Sequence, residues 1–368
     1  MKGNLRRQCP LRLGSGPTGT TRNASHGSIG DPPPAEFEET VMPKTARQKY
    51  WQKTQLWGLH KIREVHLLHS CVELFWTTVL TIGRCRGVCG YGVGKAAVMA
   101  NGVVVELAGG LGSQLFQWAT GYAVSERLGV NLELESKNIP RPEKSLDKRK
   151  FELDYFSIRK RRAFLARFWR KRWPAFQESG FLYDRRIDEV ESGSTLVGYF
   201  SSWRYFEDCA SKIRAILQRG AKPSKLFLEL SQKLEGKVWI GVHVRRGDFL
   251  NFPEIFPLAD SDYYSRALDF VGASSAEEIV VFSTEVSDGR SVVPQGTIYV
   301  DASVVSEPGD VVMLLSKANH VVGANSSLSW WGAYLNEIKG AKKVFPLMWF
   351  GPKGWPTDDL IPANWTRM

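Results

Sequence analysis

The chain has 368 residues, of which 43% are hydrophobic and 12% aromatic, so it can bury a sizeable core and is not a disordered polypeptide. Its formal net charge is +11, but residues 1–98 hold 14 of the 49 Lys and Arg and only 6 of the 38 Asp and Glu. The remaining residues are nearly charge-balanced, so no nucleic-acid partner is predicted for them. Residues 1–98 also carry four of the five cysteines, which excludes a disulfide framework elsewhere and favours a reducing compartment.

Residues 1–98 show no sustained apolar period, and we expect disorder there. Their apolar stretch at 71–83 is shorter than the ~20 residues a membrane span needs. Met99 stands just before a strand pattern at 103–107, so we expect translation to start there and residues 1–98 to be a non-native extension. The alternative is a basic tail that contacts anionic surfaces. The intact mass of the native protein tests this hypothesis, which a mature chain retaining residues 1–98 would contradict.

Regular structure begins at Val103. The strand pattern at 103–107 leads into the glycine-rich turn 108–114, a helical apolar period that ends at Gly129, and a second strand at 132–135. A helix N-terminus that follows a buried strand can receive an anion or a sugar hydroxyl.

The same turn also partly matches the dinucleotide fingerprint. Gly110 and Gly112 are followed about 20 residues later by Glu135, but Leu115 stands where the third glycine belongs. A nicotinamide-dependent Rossmann oxidoreductase therefore stays open as an alternative at this point.

A second α/β region follows Pro223. An apolar strand at 238–244 ends in Arg245, Arg246 and a turn that contains Asp248. Further strands are predicted at 278–283, 297–300, 320–324 and 343–346, with helices from about 262, at 309–318 and at 327–338. This alternation is typical of a parallel, doubly wound sheet. The sequence therefore predicts two Rossmann-like α/β domains, 99–222 and 223–368, facing a cleft.

The end of strand 238–244 presents charge where open α/β sheets bind ligands, namely outside the carboxyl ends of their strands. Paired guanidinium groups there suggest an anion, most simply a phosphate, and alternation along the strand puts His243 and Arg245 on one face. An ordinary salt-bridged turn explains this segment equally well.

The segment Asn325-Ser326-Ser327-Leu328-Ser329 lies where a buried strand turns into a helix. Its serines can cap that helix, while the free amides face the same crevice as the arginine pair. The alternative is a plain serine cap followed by core tryptophans. Trp330 and Trp331 are adjacent and cannot share a helix face, so at least one should pack in the core.

Two further segments have patterns that could bind a membrane or a metal ion. The basic, aromatic stretch 159–173 could lie on an anionic membrane, although a solvated helix face is the preferred interpretation. Asp260 and Asp262 match an acidic metal motif, but the helix pattern after them favours a helix cap. No metal site is predicted.

Three motifs in order resemble the α-1,2-fucosyltransferases of glycosyltransferase family 11. They are Gly-Gly-Leu-Gly-Ser-Gln at 109–114, His-x-Arg-Arg-Gly-Asp at 243–248 and Ser-Ser-x-Ser-Trp-Trp-Gly at 326–332. Secondary similarities lie at 151–154, 198–200 and 360–365. The resemblance spans about 103–368 and implies a GT-B-like fold, GDP-fucose as donor substrate, a galactose-containing glycan acceptor, inversion at the anomeric carbon and no metal or other cofactor.

The resemblance also implies residue roles. Arg245 falls on the donor-diphosphate motif, with Arg246 and His243 as supports and Asp248 as an orienting group, since a carboxylate beside two arginines makes a poor base. His243, Arg245 and Asp248 are the predicted catalytic residues. The predicted binding residues are Arg245, Arg246, Asn325, Ser326, Ser327 and Ser329 on the nucleotide side, and Gly110, Gly112 and Gln114 in the turn that lines the cleft from the acceptor half.

The sequence departs from the family pattern at Ser113, at Thr284-Glu285 and at Phe249, which bear on acceptor contacts. A non-catalytic protein that binds glycan or membrane through 159–173 remains a further alternative. We expect a cytoplasmic enzyme with peripheral membrane contact through that segment, and make no prediction of oligomeric state.

Overall fold

A computed structural model describes residues 102–136, 139, 150–160, 174–301, 307–352 and 354–368. The predicted N-terminal extension and residues 161–173 of the basic segment lie outside these ranges. The described chain forms two sheets in which every strand pair is parallel. The predicted α/β class with parallel sheets is therefore confirmed. The domain boundary at 222 and 223 stays a prediction.

The first sheet has the strand order β2-β1-β4-β3. Its strands are β1 (Gly102–Glu106), β2 (Asn131–Glu135), β3 (Ala175–Gln177) and β4 (Thr195–Val197). Helix α1 (Leu111–Leu128) connects β1 to β2 and ends at Gly129, whose left-handed conformation a glycine adopts without steric cost. Strands β3 and β4 were not predicted, because the stretch 136–200 that contains them shows no regular alternation of strand and helix patterns.

The second sheet has the order β10-β9-β8-β5-β6-β7. Its strands are β5 (Trp239–His243), β6 (Glu278–Phe282), β7 (Ile298–Val300), β8 (His320–Val322), β9 (Lys343–Phe345) and β10 (Thr366–Arg367). The helices are α2 (Ala210–Gly220), α3 (Lys225–Leu234), α4 (Ser261–Val271), α5 (Val286–Val292), α6 (Pro308–Leu315) and α7 (Ser327–Leu335). All but β10 agree closely with the predicted strands. Short 3-10 segments lie at Leu153–Phe156, Arg185–Glu189, Trp203–Cys209, Gly247–Asn251 and Ala273–Ser275.

Helix α7 joins the two sheets through a shared aromatic core. The ring of Phe116 on α1 lies 4.5 Å from Trp330 and 5.2 Å from Trp331, and Phe206 stacks on Trp331 at 5.6 Å. Both tryptophans are fully buried, whereas the sequence predicted core packing for at least one of them. Both can be buried because α7 is enclosed on more than one side: Trp331 faces α1, and Trp330 donates its Nε1–H to the carbonyl of Leu360 at 2.8 Å.

The two halves approach each other closely at Gly112. A Cβ on this residue would lie 2.4 Å from Ser327 Oγ and 2.6 Å from the Ser327 backbone carbon. Trp331 donates its Nε1–H to the Gly112 carbonyl at 3.0 Å. Glycine is thus required at 112 because the backbone of α7 occupies the space of a side chain.

We predict that Gly112→Ala lowers the free energy of unfolding by about 1–3 kcal/mol, the usual cost of overpacking. The better helix propensity of alanine, worth about 1 kcal/mol, offsets only part of this, since the clash is with backbone. Gly180→Ala is the control, because nothing lies within 4 Å of its added Cβ. Urea unfolding without ligand measures both, and equal midpoints would contradict the prediction.

Candidate active site

The predicted ligand residues lie at one edge of the second sheet. Strands β5 and β8 are parallel neighbours with Val242 opposite Val322, so the segments after them, which carry Arg245 and Asn325, leave the same edge. This is the carboxyl edge, where open α/β sheets bind ligands. The chain fold therefore brings two of the three motifs together.

Two buried tyrosines of α4 fix these strand ends. Tyr264 donates its hydroxyl hydrogen to the His243 carbonyl at 3.0 Å, and Tyr263 donates to the Gly323 carbonyl at 2.6 Å. The Tyr263 hydroxyl also lies 3.2 Å from the carbonyl oxygen of Val344. The ends of β5, β8 and β9 are thus held against one helix, and α4 starts at a cap in which Asp260 Oδ1 accepts from the Tyr263 amide at 2.9 Å. The prediction of a helix cap at Asp260 is confirmed.

His243 closes β5 with a neutral imidazole. Its side chain is buried, and burial together with the charge of Arg245 lowers its pKa from 6.5 to about 3. Its Nδ1 has no hydrogen-bond partner among the described residues. With this pKa the imidazole carries only one of its two possible ring protons at neutral pH, so His243 can orient a ligand but is not a charged general acid there.

Arg245 and Arg246 come two and three residues after His243, and their surroundings differ. The guanidinium carbon of Arg245 lies 5.0 Å above the ring centroid of Phe249, a cation–π geometry that aims the side chain. Arg246 is half-buried, and its Nε has no partner among the described residues. The side chain of Asp248 lies outside what the structure describes, so its orienting role stays a prediction.

Asn325 ties three segments together at the same edge. Its Nδ2 donates to the carbonyls of Pro257 at 2.9 Å and Trp349 at 3.0 Å, while its buried Oδ1 has no partner among the described residues. Ser326 caps α7 by accepting from the Leu328 amide at 3.3 Å, as predicted. Asn325 therefore combines a structural role with one free acceptor.

Ser327 and Ser329 have structural surroundings. Ser327 Oγ packs against Gly112, and the fully buried Ser329 hydroxyl donates within its own turn, to the carbonyls of Ser326 at 3.1 Å and Ala324 at 3.3 Å. This geometry gives the predicted nucleotide contact of Ser329 no support, because its hydrogen is used inside the helix.

The glycine turn of the first half is also internally engaged. Gln114 is fully buried; its Nε2 donates to the carbonyls of Gly109 at 2.9 Å and Lys150 at 2.8 Å, and its Oε1 accepts from the Glu152 amide at 3.0 Å. Gly110 is the cap position of α1 and Gly112 faces α7. The predicted ligand contacts of Gly112 and Gln114 are thus unsupported: both hold loops and helices in place.

Sequence reasoning missed Glu178, which lies just after β3. Its Oε2 accepts from the amides of Tyr199 and Phe200, both at 2.8 Å, and its Oε1 accepts from the Tyr205 hydroxyl at 3.0 Å. Burial raises the pKa of Glu178 to about 7 against the opposing effect of these hydrogen bonds. The sequence around Glu178 does not predict that its carboxylate accepts these hydrogen bonds, because the donors lie more than 20 residues away along the chain.

No group of three or more His, Cys, Asp or Glu side chains in the described residues is arranged to hold a metal ion. Among the helices described, none is both long and apolar enough to cross a bilayer.

We predict that the wild type loses stability relative to His243→Asn as pH falls below 6.5. The folded state resists protonating His243 until about pH 3, whereas the unfolded chain binds a proton near pH 6.5. The stability from the neutral imidazole is therefore complete above 6.5 and declines by up to about 1.4 kcal/mol per pH unit below it. Urea unfolding at pH 5.0 to 7.5 measures the difference.

His320→Asn is the matched control, since its half-buried imidazole accepts a hydrogen bond from the Lys342 amide at 3.0 Å and should show a smaller dependence. Parallel curves for the wild type and His243→Asn would show that His243 titrates in the folded state as it does in the unfolded chain, and would contradict the lowered pKa.

The chain is similar in sequence to a family of known proteins. Residues 103–353 match the sequence profile described as "Glycosyl transferase family 11". The alpha-1,2-colitosyltransferase of Escherichia coli is 27% identical over 299 residues, covering 72% of this chain and 98% of that protein. Galactoside alpha-(1,2)-fucosyltransferase 2 of Oryctolagus cuniculus is 25% identical over 165 residues, covering 38% and 43% respectively.

Among solved structures, fucosyltransferase NodZ from Bradyrhizobium is similar with a TM-score of 0.37 and 12% identity, over 63% of this chain and 93% of that one. The profile covers the glycine turn, the arginine pair and the serine-capped helix described above. The resemblance seen in the sequence is thereby confirmed: this chain belongs to glycosyltransferase family 11.

Proposed function

We propose that the protein is an inverting fucosyltransferase that moves L-fucose from GDP-fucose to a galactose-containing acceptor in α-1,2 linkage. The observation that carries this proposal is a set of three buried polar atoms in the segments that end or follow the neighbouring strands β5 and β8. His243 Nδ1, Arg246 Nε and Asn325 Oδ1 all lack partners among the described residues. Since buried polar groups are normally hydrogen-bonded, three such atoms at neighbouring strand ends indicate a ligand site.

The chemistry of the donor fits this set. Attack of the acceptor hydroxyl on the anomeric carbon forms the new glycosidic bond and breaks the bond to the β-phosphate, so negative charge grows on GDP. A guanidinium presents a fixed fork of donors to phosphate oxygens, and fixed donors stabilise developing charge without reorganising. We propose that Arg245, which lies over Phe249, stabilises the negative charge on the β-phosphate and that Arg246 assists it.

A weak base suffices for this reaction. The pKa of about 3 at His243 makes the imidazole a poor proton acceptor at neutral pH. We therefore propose an oxocarbenium-like path in which the glycosidic bond to GDP is largely broken before the hydroxyl loses its proton, with Asp248 as an orienting carboxylate.

The similar proteins support the α-1,2 linkage more firmly than the identity of the transferred sugar. An α-1,2-colitosyltransferase and an α-(1,2)-fucosyltransferase both match, and the colitosyltransferase is matched over nearly its whole length. Colitosyl transfer is therefore the second candidate. Parallel assays with GDP-fucose and a colitosyl donor, followed by linkage analysis of the product, decide between them.

We further propose that residues 223–368 bind the donor and residues 99–222 face the acceptor, and that no metal is needed. Transfer should persist in EDTA, and its loss would contradict the last point. A thermal-shift comparison of GDP with NAD separates the proposal from the oxidoreductase alternative, since only GDP should raise the melting temperature.

Location is a separate proposal that rests on sequence pattern. The basic segment 159–173 is suited to an anionic surface, so we propose a cytoplasmic enzyme in peripheral contact with a membrane. Flotation with anionic vesicles tests this contact, and recovery of all protein at the bottom of the gradient would contradict it.

We predict that Arg245→Ala leaves a folded protein but lowers kcat for fucosyl transfer by about 10²-fold or more, the usual effect of removing a donor to developing charge. Arg245→Lys should recover only part of this loss, because an ammonium lacks the bidentate fork. Arg290→Ala is the control, since Arg290 also lies over an aromatic ring, 4.3 Å from Tyr299, but outside the site. Radiolabelled fucose transfer measures all three, and full activity in Arg245→Ala would refute the assignment.

A further inference from the structure

A run of aromatic rings lies along the carboxyl ends of strands from both sheets. We call it the aromatic surface and define it as Phe181, Tyr199, Phe249, Phe256, Phe350 and Trp355. Phe181 follows β3, Tyr199 follows β4, and the other four come after β5 or β9. Every member thus lies at the edge where parallel sheets bind ligands.

The rings form one continuous path. Successive centroid distances are 4.5 Å for Phe249–Phe256, 5.7 Å for Phe256–Phe350, 5.0 Å for Phe350–Phe181 and 5.8 Å for Phe181–Tyr199, with Trp355 5.0 Å from Phe181. One end is the ring of Phe249 beneath Arg245. The other end is Tyr199, whose Cε1 lies 3.7 Å from where a Cβ on Gly109 would be. The surface therefore connects the proposed diphosphate site with the glycine turn of the first half.

These rings are not core residues. Tyr199 is 37% exposed and the other five are half-buried, in contrast to the fully buried tryptophans of α7. Tyr199 and Phe181 are nearly parallel, with 14° between their planes, so together they present a flat edge. A flat aromatic edge beside a charged site suits a ligand that is apolar on its face and polar at its rim.

The position of Tyr199 is enforced by strain. Its neighbour Phe200 is fully buried with φ of +52°, a left-handed conformation that costs a bulky residue on the order of 1–3 kcal/mol. The Glu178 carboxylate accepts from both amides of this turn, and Gln117 Nε2 donates to the Gly198 carbonyl at 3.0 Å. Backbone strain maintained by buried polar groups is typical of functional sites, and here its effect is to hold the tyrosine ring at the surface.

A pyranose has the matching chemistry, because its C–H groups form an apolar face and its hydroxyls lie around the rim. We propose that the aromatic surface docks the acceptor glycan and that the Tyr199 ring covers the C–H face of one of its sugars. This inference rests on the proposed function and extends it, by placing the acceptor on residues of both halves next to Arg245.

The test is the kinetics of Tyr199→Ala with lactose as the galactose-terminated probe. We expect the KM for lactose to rise by about tenfold, which is the upper range for an aromatic contact. The KM for GDP-fucose and the slow hydrolysis of GDP-fucose without acceptor should be unchanged, because neither involves the acceptor. Tyr199→Phe should retain the wild-type KM, since it keeps the ring.

Phe270→Ala is the matched control. Phe270 is a 41% exposed aromatic on α4, its carbonyl accepts from Lys342 Nζ at 2.7 Å, and Lys342 precedes β9, so it belongs to the opposite edge of the sheet. Its substitution should leave the lactose KM unchanged. Equal increases for Tyr199→Ala and Phe270→Ala, or an unchanged KM in Tyr199→Ala, would overturn the inference while wild-type transfer still upheld the proposed function.

Two further outcomes separate the proposals. A wild type that neither hydrolyses nor transfers GDP-fucose refutes the proposed function itself. Saturation-transfer NMR of lactose with the GDP-bound protein then measures lactose binding without turnover. A signal in Tyr199→Ala as strong as in the wild type overturns the inference. An effect of Tyr199→Ala on a lactosyl lipid but not on lactose would assign the surface to the lipid, and would also overturn it.

Discussion

The architecture depends on the contact between the start of α1 and the start of α7. A backbone carbonyl at Gly112 accepts from the buried indole of Trp331, and no side chain fits between the helices. Leaving that indole unpaired in the core would cost about 1–3 kcal/mol, and the carbonyl would lose its partner as well. The two helices therefore meet in one arrangement, and each carries with it the strand end that precedes it.

The contact between Gly112 and α7 gives two of the sequence motifs a structural role. A glycine turn and a serine-capped helix both suggest loops that cradle an anion, yet much of their polar capacity is spent inside the protein. Gln114 ties the turn to residues 150 and 152, and Gln117 accepts from the Ala108 amide at 2.9 Å. We therefore propose that the ligand contacts fall mainly on Arg245, Arg246, Asn325 and the aromatic surface. The glycine turn and the serine-capped helix hold the two halves together.

Local signals made much of this fold predictable. Strand β5, the capped helix after Asp260 and the serine cap of α7 are encoded by residues within a few positions of one another. Strands β3 and β4 were not predicted, because they lie in the irregular stretch 136–200 and are recognisable only by their pairing with neighbours, whereas the equally short β7, β8 and β9 belong to a regular alternation of strands and helices. The role of Glu178 was equally hidden, since a buried carboxylate is recognisable only when its distant amide donors are known. The aromatic surface is assembled from loops after four strands, and no single stretch of sequence contains it.

The charge state of His243 limits how strongly the site can hold its product. Arg245 and desolvation together keep the imidazole neutral, so the strand end presents two guanidinium charges rather than three cations. A third buried cation would bind the departing diphosphate in the ground state as well as in the transition state. Such uniform binding does not speed the chemical step and slows the release of GDP. In the reaction we propose, a neutral imidazole leaves the growing charge to the arginines and adds no third cation that GDP must leave.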